Sequence, residues 1–361
     1  MYTYFDNAAT TRQHPAVTEA MNEIAEAEFY NSAAMYPPSL AVKQKIEHAR
    51  KTILEKLGGQ SGELVFTSGA TESNNMVIFG KSTKRGRVLC LEGEHASVHA
   101  PVKYLKDNGY DVAMIPLQKD GRANIDKLPT ADLVLFGLVN SDTGTIQDAR
   151  AIVNAVRRQN PKAHIHCDAT QAFCKLPFNV TELGFDSVAI SAHKFFGPKG
   201  IGALWLKKGV HLNPIMLGGG QQSMRPGTEN SPAVLGFARA VEIFDTDKNF
   251  AHVGALHAHL IKNLPANVTV NGVNNNPYIT NLQLNVMGQT VMNALASENI
   301  FVGLGSACSS GGDKNRTLSA MGLDDKKTKQ VIRVSFSADN TIAEVDNFIS
   351  KLKQVLTSLA I

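Results

Sequence analysis

The sequence predicts an α/β protein: a mainly parallel seven-stranded sheet covered by helices, followed by a smaller α+β domain. Three observations carry this. From about residue 42 to 245, short apolar runs alternate with helix-period segments, the pattern of a parallel sheet with crossover helices. Seven such runs are present, LVF (64–66), RVLCL (87–91), DVAMIPL (111–117), DLVLFGLV (132–139), HIHCDA (164–169), SVAIS (187–191) and GALWL (202–206). Beyond Phe244 the texture changes to longer helical segments with a few strands between them.

In chain order, VKQKIEHARKTILEKL (42–57) places Val42, Ile46, Ile53, Leu54 and Leu57 on one helical face and stops at Gly58-Gly59. Helical segments VHAPVKYLKDN and AIVNAVRRQN separate several of the seven strands. The second part opens with the helix-like FAHVGALHAHLIKNL, has strands near VTV (268–270) and NLQLNV (281–286), and continues with a helix at QTVMNALASEN. It closes with strand VIRVSF (331–336) and helix TIAEVDNFISKLKQVL, whose Ile342, Val345, Phe348, Ile349, Leu352, Val355 and Leu356 form one stripe. The expected division is a large domain, residues 15–245, and a small domain made of 1–14 and 246–361. No repeat or low-complexity linker separates them, so close packing is expected.

The chain has 361 residues, 43% of them hydrophobic, and a net charge of +4 from 36 basic and 32 acidic residues. The core is large enough to fold without staples, and the absence of a basic run excludes a nucleic-acid or membrane-surface binder. No segment has the ~18 apolar residues of a membrane span and the N-terminus is not a signal peptide, so a cytoplasmic protein is expected. Four cysteines, Cys90, Cys167, Cys174 and Cys308, without a CxxC pair, fit neither a disulfide framework nor a zinc site. No metal is expected at HIHC (164–167) either, because neighbouring strand residues point to opposite faces.

Chemistry concentrates where strands end. SVAISAHKFFGPKG delivers His193 and Lys194 to the carboxyl edge of the sheet, where open α/β sheets bind ligands. A partly desolvated amine there loses its proton and becomes a nucleophile toward aldehydes, so Lys194 is a candidate Schiff-base lysine. The alternative is a strand-end lysine reaching solvent. LVFTSGATESNN supplies strand, glycine turn and helix start, so the N–H groups near Gly69, Ala70 and Thr71 can face a phosphate, or form an ordinary cap. HCDATQ ends a strand with Asp168 and Gln171. A buried carboxylate there needs a cationic partner such as a protonated pyridine nitrogen, or caps the next turn. His95, at the end of RVLCLEGEH, is a general acid/base or a polar strand end. Cys308, in the Gly/Ser-rich GLGSACSSGGDKNRT, belongs on a loop.

Taken together, SGATES, EGEHASV, DATQ, SAHKFFGPKG, RPGTEN and GSACSS closely resemble the corresponding segments of the cysteine desulfurases, NifS-like members of the fold type I pyridoxal-phosphate enzymes. The resemblance covers most of the chain. It implies pyridoxal 5'-phosphate on Lys194, Asp168 on its pyridine nitrogen, Gln171 on its ring hydroxyl oxygen and His95 over the ring. Thr71, Ser191 and His193 are implied as phosphate ligands. Thr228 would reach the phosphate of the other subunit of a homodimer, while Arg333 would grip the substrate carboxylate with Asn31 near it. It implies Cys308 as the persulfide carrier on a long loop, and L-cysteine and a sulfur-acceptor or iron–sulfur scaffold protein as partners. Departures from the family pattern are Ser141 for a second asparagine near the ring oxygen, Tyr36 near the place of a histidine, and Gln222 and Pro226 for an acidic residue and a serine. Alternatives are a selenocysteine lyase or other β-elimination enzyme of this fold, and a cofactor-binding sulfur-relay scaffold with weak turnover.

Overall fold

A computed structural model describes residues 2–219, 222, 224–273, 275–305 and 315–359. Its strands are β1 (Thr3–Phe5), β2 (Glu63–Thr67), β3 (Arg87–Leu91), β4 (Asp111–Ile115), β5 (Leu133–Gly137), β6 (His164–Asp168), β7 (Ser187–Ser191), β8 (Gly202–Leu206), β9 (Thr269–Asn271), β10 (Ile279–Gln283), β11 (Ile300–Val302) and β12 (Val331–Ser335). The helices are α1 (Pro15–Ala27), α2 (Pro37–Leu57), α3 (Ala70–Lys81), α4 (Ala96–Asp107), α5 (Ala149–Gln159), α6 (Val180–Leu183), α7 (Ser231–Ile243), α8 (Thr246–Asn263), α9 (Gly288–Ser297), α10 (Arg316–Ala320), α11 (Asp325–Lys329) and α12 (Ile342–Leu359).

All seven expected strands form one sheet in the order β2-β8-β7-β6-β5-β3-β4. Neighbours from β7 through β4 run parallel, while β8 is antiparallel to both β7 and β2. Six strands therefore share one direction, and their carboxyl ends meet at one edge. Strands β5, β6, β7 and β8 are buried at every position, as the apolar runs require of a sheet covered on both faces.

Helix α2 starts five residues before the apolar stripe, because Pro37 supplies a pre-set φ in the first turn. It ends at Gly58 in the left-handed conformation and buries Val42, Ile46, Ala49, Ile53 and Leu57, at about 1.5–3 kcal/mol for each fully buried large aliphatic residue. Helices α1 and α7, which the periodicity does not bring out, each begin with a proline in the first turn.

The ends of the chain build two smaller sheets. Strand β10 lies between β9 and β12, antiparallel to both, and β1 pairs with β11 in parallel. The strand expected at 281–286 starts two residues earlier and stops at Gln283. Beyond it the Leu284 N–H still donates to the Gln330 carbonyl. Among the described residues, no helix is long and apolar enough to cross a membrane.

Candidate active site

The carboxyl edge of the large sheet opens into a cavity of about 860 Å³, lined in part by Ala70, Thr71, His95, Asp168, Lys194 and Arg333. Its floor is β6 and β7, one wall is the start of α3, and the opposite wall comes from β12 and the segment after β1. The topology thus gathers residues spread from position 6 to 333.

Lys194 follows β7 on a short 3-10 turn. Its Nζ donates to the carbonyls of Ala8 (2.8 Å) and Ala9 (2.7 Å). Burial, reinforced by the Arg333 guanidinium and opposed by Asp168 and Asp6, lowers its pKa to about 8. His193 hydrogen-bonds Thr10 Oγ1 through Nδ1 at 3.1 Å, and burial beside Lys194 lowers its pKa to about 4, so it is neutral.

Asp168 ends β6. Its Oδ1 accepts from the Thr170 N–H (2.9 Å) and its Oδ2 from Asn74 Nδ2 (2.8 Å). It caps the next turn, and it also lines the cavity. Gln171 donates one amide hydrogen to the Ala8 carbonyl (2.8 Å) and accepts from buried Lys175 (3.0 Å), leaving its second amide hydrogen.

The placement of His95 differs from the strand end that the sequence suggests. Strand β3 stops at Leu91, and His95 is the N-cap of α4, its Nδ1 accepting from the Ser97 N–H. The ring stands in the open cavity, where water reaches it, yet the protein around it still lowers its pKa. Just before it, Glu94 is buried, accepts from the Gly137 N–H at 2.7 Å, and has its pKa raised to about 8, chiefly by burial.

Arg333 is 6% exposed. It pairs with Asp6 Oδ1 at 2.7 Å and donates to the Ser141 carbonyl at 3.0 Å, while its Nε has no partner among the described residues. Gly303 makes this pair possible, since a Cβ there would stand 2.5 Å from Asp6 Oδ1.

Asn31 and Thr228 do not line this cavity. Both are exposed, and Ser32 Oγ donates to Glu229 at 2.8 Å, so their segments lie side by side on the surface. Gln222 clamps the edge strand β2, accepting from the Phe66 N–H and donating to its carbonyl. Asn140, beside Ser141, has its side chain engaged with Gly93, Thr317, Asp142 and Thr143.

Cys90, Cys167 and Cys174 are buried, and burial raises each thiol pKa. Cys174 lies in the turn after β6 at φ 64°. Cys308 lies outside the described residues. Among those residues, no cluster of histidine, cysteine and carboxylate could hold a metal.

Sequence reasoning missed Asp6, Asn74 and Glu94. A usable signal was present for Glu94 alone, which stands beside His95. Asp6 had none, because only the fold carries DNAATT to the sheet edge.

A lysine amine and a carboxylate at the carboxyl edge of an open, mostly parallel sheet, with a helix start facing them, define an aminotransferase-type site. The chain belongs to the aminotransferase class-V family, whose model matches residues 3–348. Its relatives narrow the class to the cysteine desulfurases. It is 32% identical over 375 residues to cysteine desulfurase IscS of Dictyoglomus turgidum, covering 99% of this chain and 95% of the relative. With cysteine desulfurase IscS 1 of Archaeoglobus fulgidus it shares 33% identity over 387 residues, covering 99% and 97%. A solved NifS-like protein superposes with a TM-score of 0.91 at 31% identity, covering 99% of this chain and all of the other.

Proposed function

We propose that the protein is a pyridoxal-phosphate-dependent cysteine desulfurase, converting L-cysteine to L-alanine and taking the sulfur as a persulfide on Cys308. The observation that carries the reading is Lys194, an amine with a pKa near 8 in the same cavity as a fixed carboxylate and a helix start.

The residues present fit the cofactor. Gly69 caps α3 without a side chain, and a Cβ there would lie 3.8 Å from Ser191 Oγ, in the space between the helix start and β7. The unpaired N–H groups of the first turn, Ala70 and Thr71 among them, with Ser191 and His193, would hold the phosphate. Asp168 would pair with the pyridine nitrogen, the free amide hydrogen of Gln171 would meet the ring oxygen, and Ser141 would stand near it. When bound, the cofactor supplies the electron sink for loss of the substrate's Cα proton.

The chain's own groups do the rest. Arg333 exchanges Asp6 for the substrate carboxylate, with Asn31 close to it in the assembled site. Lys194, neutral in part near pH 8, accepts the Cα proton, and His95 carries protons over the ring. The Cys308 thiolate attacks the substrate sulfur. An S–S bond forms, the C–S bond breaks, the electron pair left on Cβ takes a proton, and Lys194 returns a proton to Cα to give alanine. Residues 15–245 then hold the cofactor, and residues 1–14 and 246–361 hold the carboxylate and the cysteine.

A homodimer is part of this reading, with Thr228 completing the partner's phosphate site. The exposed Phe29, Met35, Tyr36 and Leu217, on or near the segments of Asn31 and Thr228, support it. The persulfide sulfur passes to an acceptor protein or an iron–sulfur scaffold, in the cytoplasm. The deciding assay measures sulfide and alanine from L-cysteine with added thiol, beside L-selenocysteine. Equimolar products, lost in Lys194→Ala and Cys308→Ser, are expected. Pyruvate and ammonia in place of alanine, or full activity in Cys308→Ser, would overturn the reading.

A further inference from the structure

Behind Asp168 runs a continuous buried hydrogen-bond chain that the reaction above does not use. His164, His166 and Asp168 alternate along β6 and so share one face, and Ser187 lies opposite His166 on β7. His164 Nε2 is 2.7 Å and His166 Nδ1 2.8 Å from Ser187 Oγ. His166 Nε2 is 2.9 Å from Asn74 Oδ1. Asn74 Nδ2 then reaches both Asp168 Oδ2 at 2.8 Å and Ser97 Oγ at 2.9 Å. His166, Asn74 and Ser187 are fully buried, so no water competes for these bonds.

The chain can run in one direction only. A carboxylate and a hydroxyl oxygen use both hydrogens of the Asn74 amide, so its oxygen faces His166 and needs a proton on His166 Nε2. Burial holds the His166 pKa well below its ordinary value, and a neutral ring has a single N–H. Its Nδ1 therefore accepts from the Ser187 hydroxyl, whose oxygen accepts from His164 Nε2. Reversing the amide would set its oxygen against the Asp168 carboxylate and leave His166 facing a donor.

We propose that His166 is a positioning residue: acting through Asn74, it fixes the Asp168 carboxylate against rotation, so that a bound pyridine ring meets an acceptor already in place. The inference rests on the cofactor reading above. Preorganised groups of this kind add to affinity because nothing has to be ordered on binding.

The test uses the full-length protein loaded with pyridoxal phosphate labelled with ¹⁵N in the ring. The wild type is expected to show a protonated ring nitrogen. His166→Gln keeps a donor toward Asn74 and should match it. His166→Leu should lose part of that protonation and hold the cofactor roughly tenfold more weakly, the scale of one lost hydrogen bond. A ring-nitrogen shift and cofactor dissociation constant in folded His166→Leu equal to those of the wild type would overturn the inference while leaving the cofactor reading intact. A wild type that never takes up pyridoxal phosphate would overturn both, and that is seen before any variant is made. If His166→Leu does not fold, a histidine-selective ¹⁵N spectrum of the wild-type holoenzyme decides. A proton on His166 Nε2 with a bare Nδ1 upholds the chain's direction, and the opposite tautomer refutes it.

Discussion

Lys194 is expected to react as a neutral amine near physiological pH, and its neighbours set how readily. Its pKa falls from 10.5 to about 8, which corresponds to about 3.4 kcal/mol against the charged form. At pH 7.4 about a fifth of the amine is then neutral, against roughly one part in a thousand for an ordinary lysine. Burial is the first cause, and it acts with the nearby Arg333 cation against Asp168 and Asp6. A cation beside a cation disfavours the charged form, so Arg333→Met should raise the Lys194 pKa, while Asp6→Asn, which removes an opposing anion, should lower it. The measurement is competitive acylation of the cofactor-free protein with a trace reagent, following the Lys194 peptide by mass spectrometry from pH 6 to 11. The wild-type rate should level off above about pH 8. Levelling only above about pH 10, or an Arg333→Met curve displaced to lower pH, would refute the electrostatic account.

Three further outcomes can be checked directly. Glu94 has a folded pKa raised from 4.5 to about 8, so between these values the unfolded chain loses a proton that the folded one keeps, and stability falls as pH rises. Glu94→Gln keeps an oxygen for the Gly137 N–H, and its thermal midpoint should gain on the wild type from pH 5 to 8; a gap independent of pH would contradict this. Gly303→Ala forces a Cβ against the Asp6–Arg333 pair, at a cost of about 1–3 kcal/mol, and should lower the thermal midpoint and raise KM for L-cysteine; unchanged values of both would show that the pair can shift freely. In a native thiol titration Cys90, Cys167 and Cys174 should stay silent because burial holds them protonated, leaving Cys308 as the fast-reacting thiol; rapid reaction that persists in Cys308→Ser would point elsewhere.

The large sheet was legible because β5, β6, β7 and β8 are buried on both faces and therefore read as unbroken apolar runs. The same runs located Asp168 and Lys194, since a polar residue at the end of such a run has few places to go. β1 and β11 were not legible. Each is three residues long, and each becomes a strand only because the other lies beside it. His95 was found for its chemistry but misplaced, because an imidazole cap and a polar strand end look alike in EGEHASV. Asn74 sits inside α3 with nothing in its spacing to mark it. Its role depends on partners 23 to 94 residues away, which no local pattern encodes.

The segment after β1 closes the site around Lys194 and Arg333, and this sets when the site can exist during synthesis. Asp6 waits for Arg333, 327 residues further on, and the Ala8 N–H for the Ser335 hydroxyl. At 5–20 residues per second, roughly 16 to 65 s separate the emergence of the two ends. The large sheet can assemble on the ribosome in that interval, and Gln171 and the His193 carbonyl can already hold the stretch from Ala8 to Thr11, but Asp6 stands without its cation until β12 arrives. The complete cavity is therefore a late product of synthesis, and a nascent chain cut short before β12 would carry Lys194 without the Arg333 cation that helps to tune it.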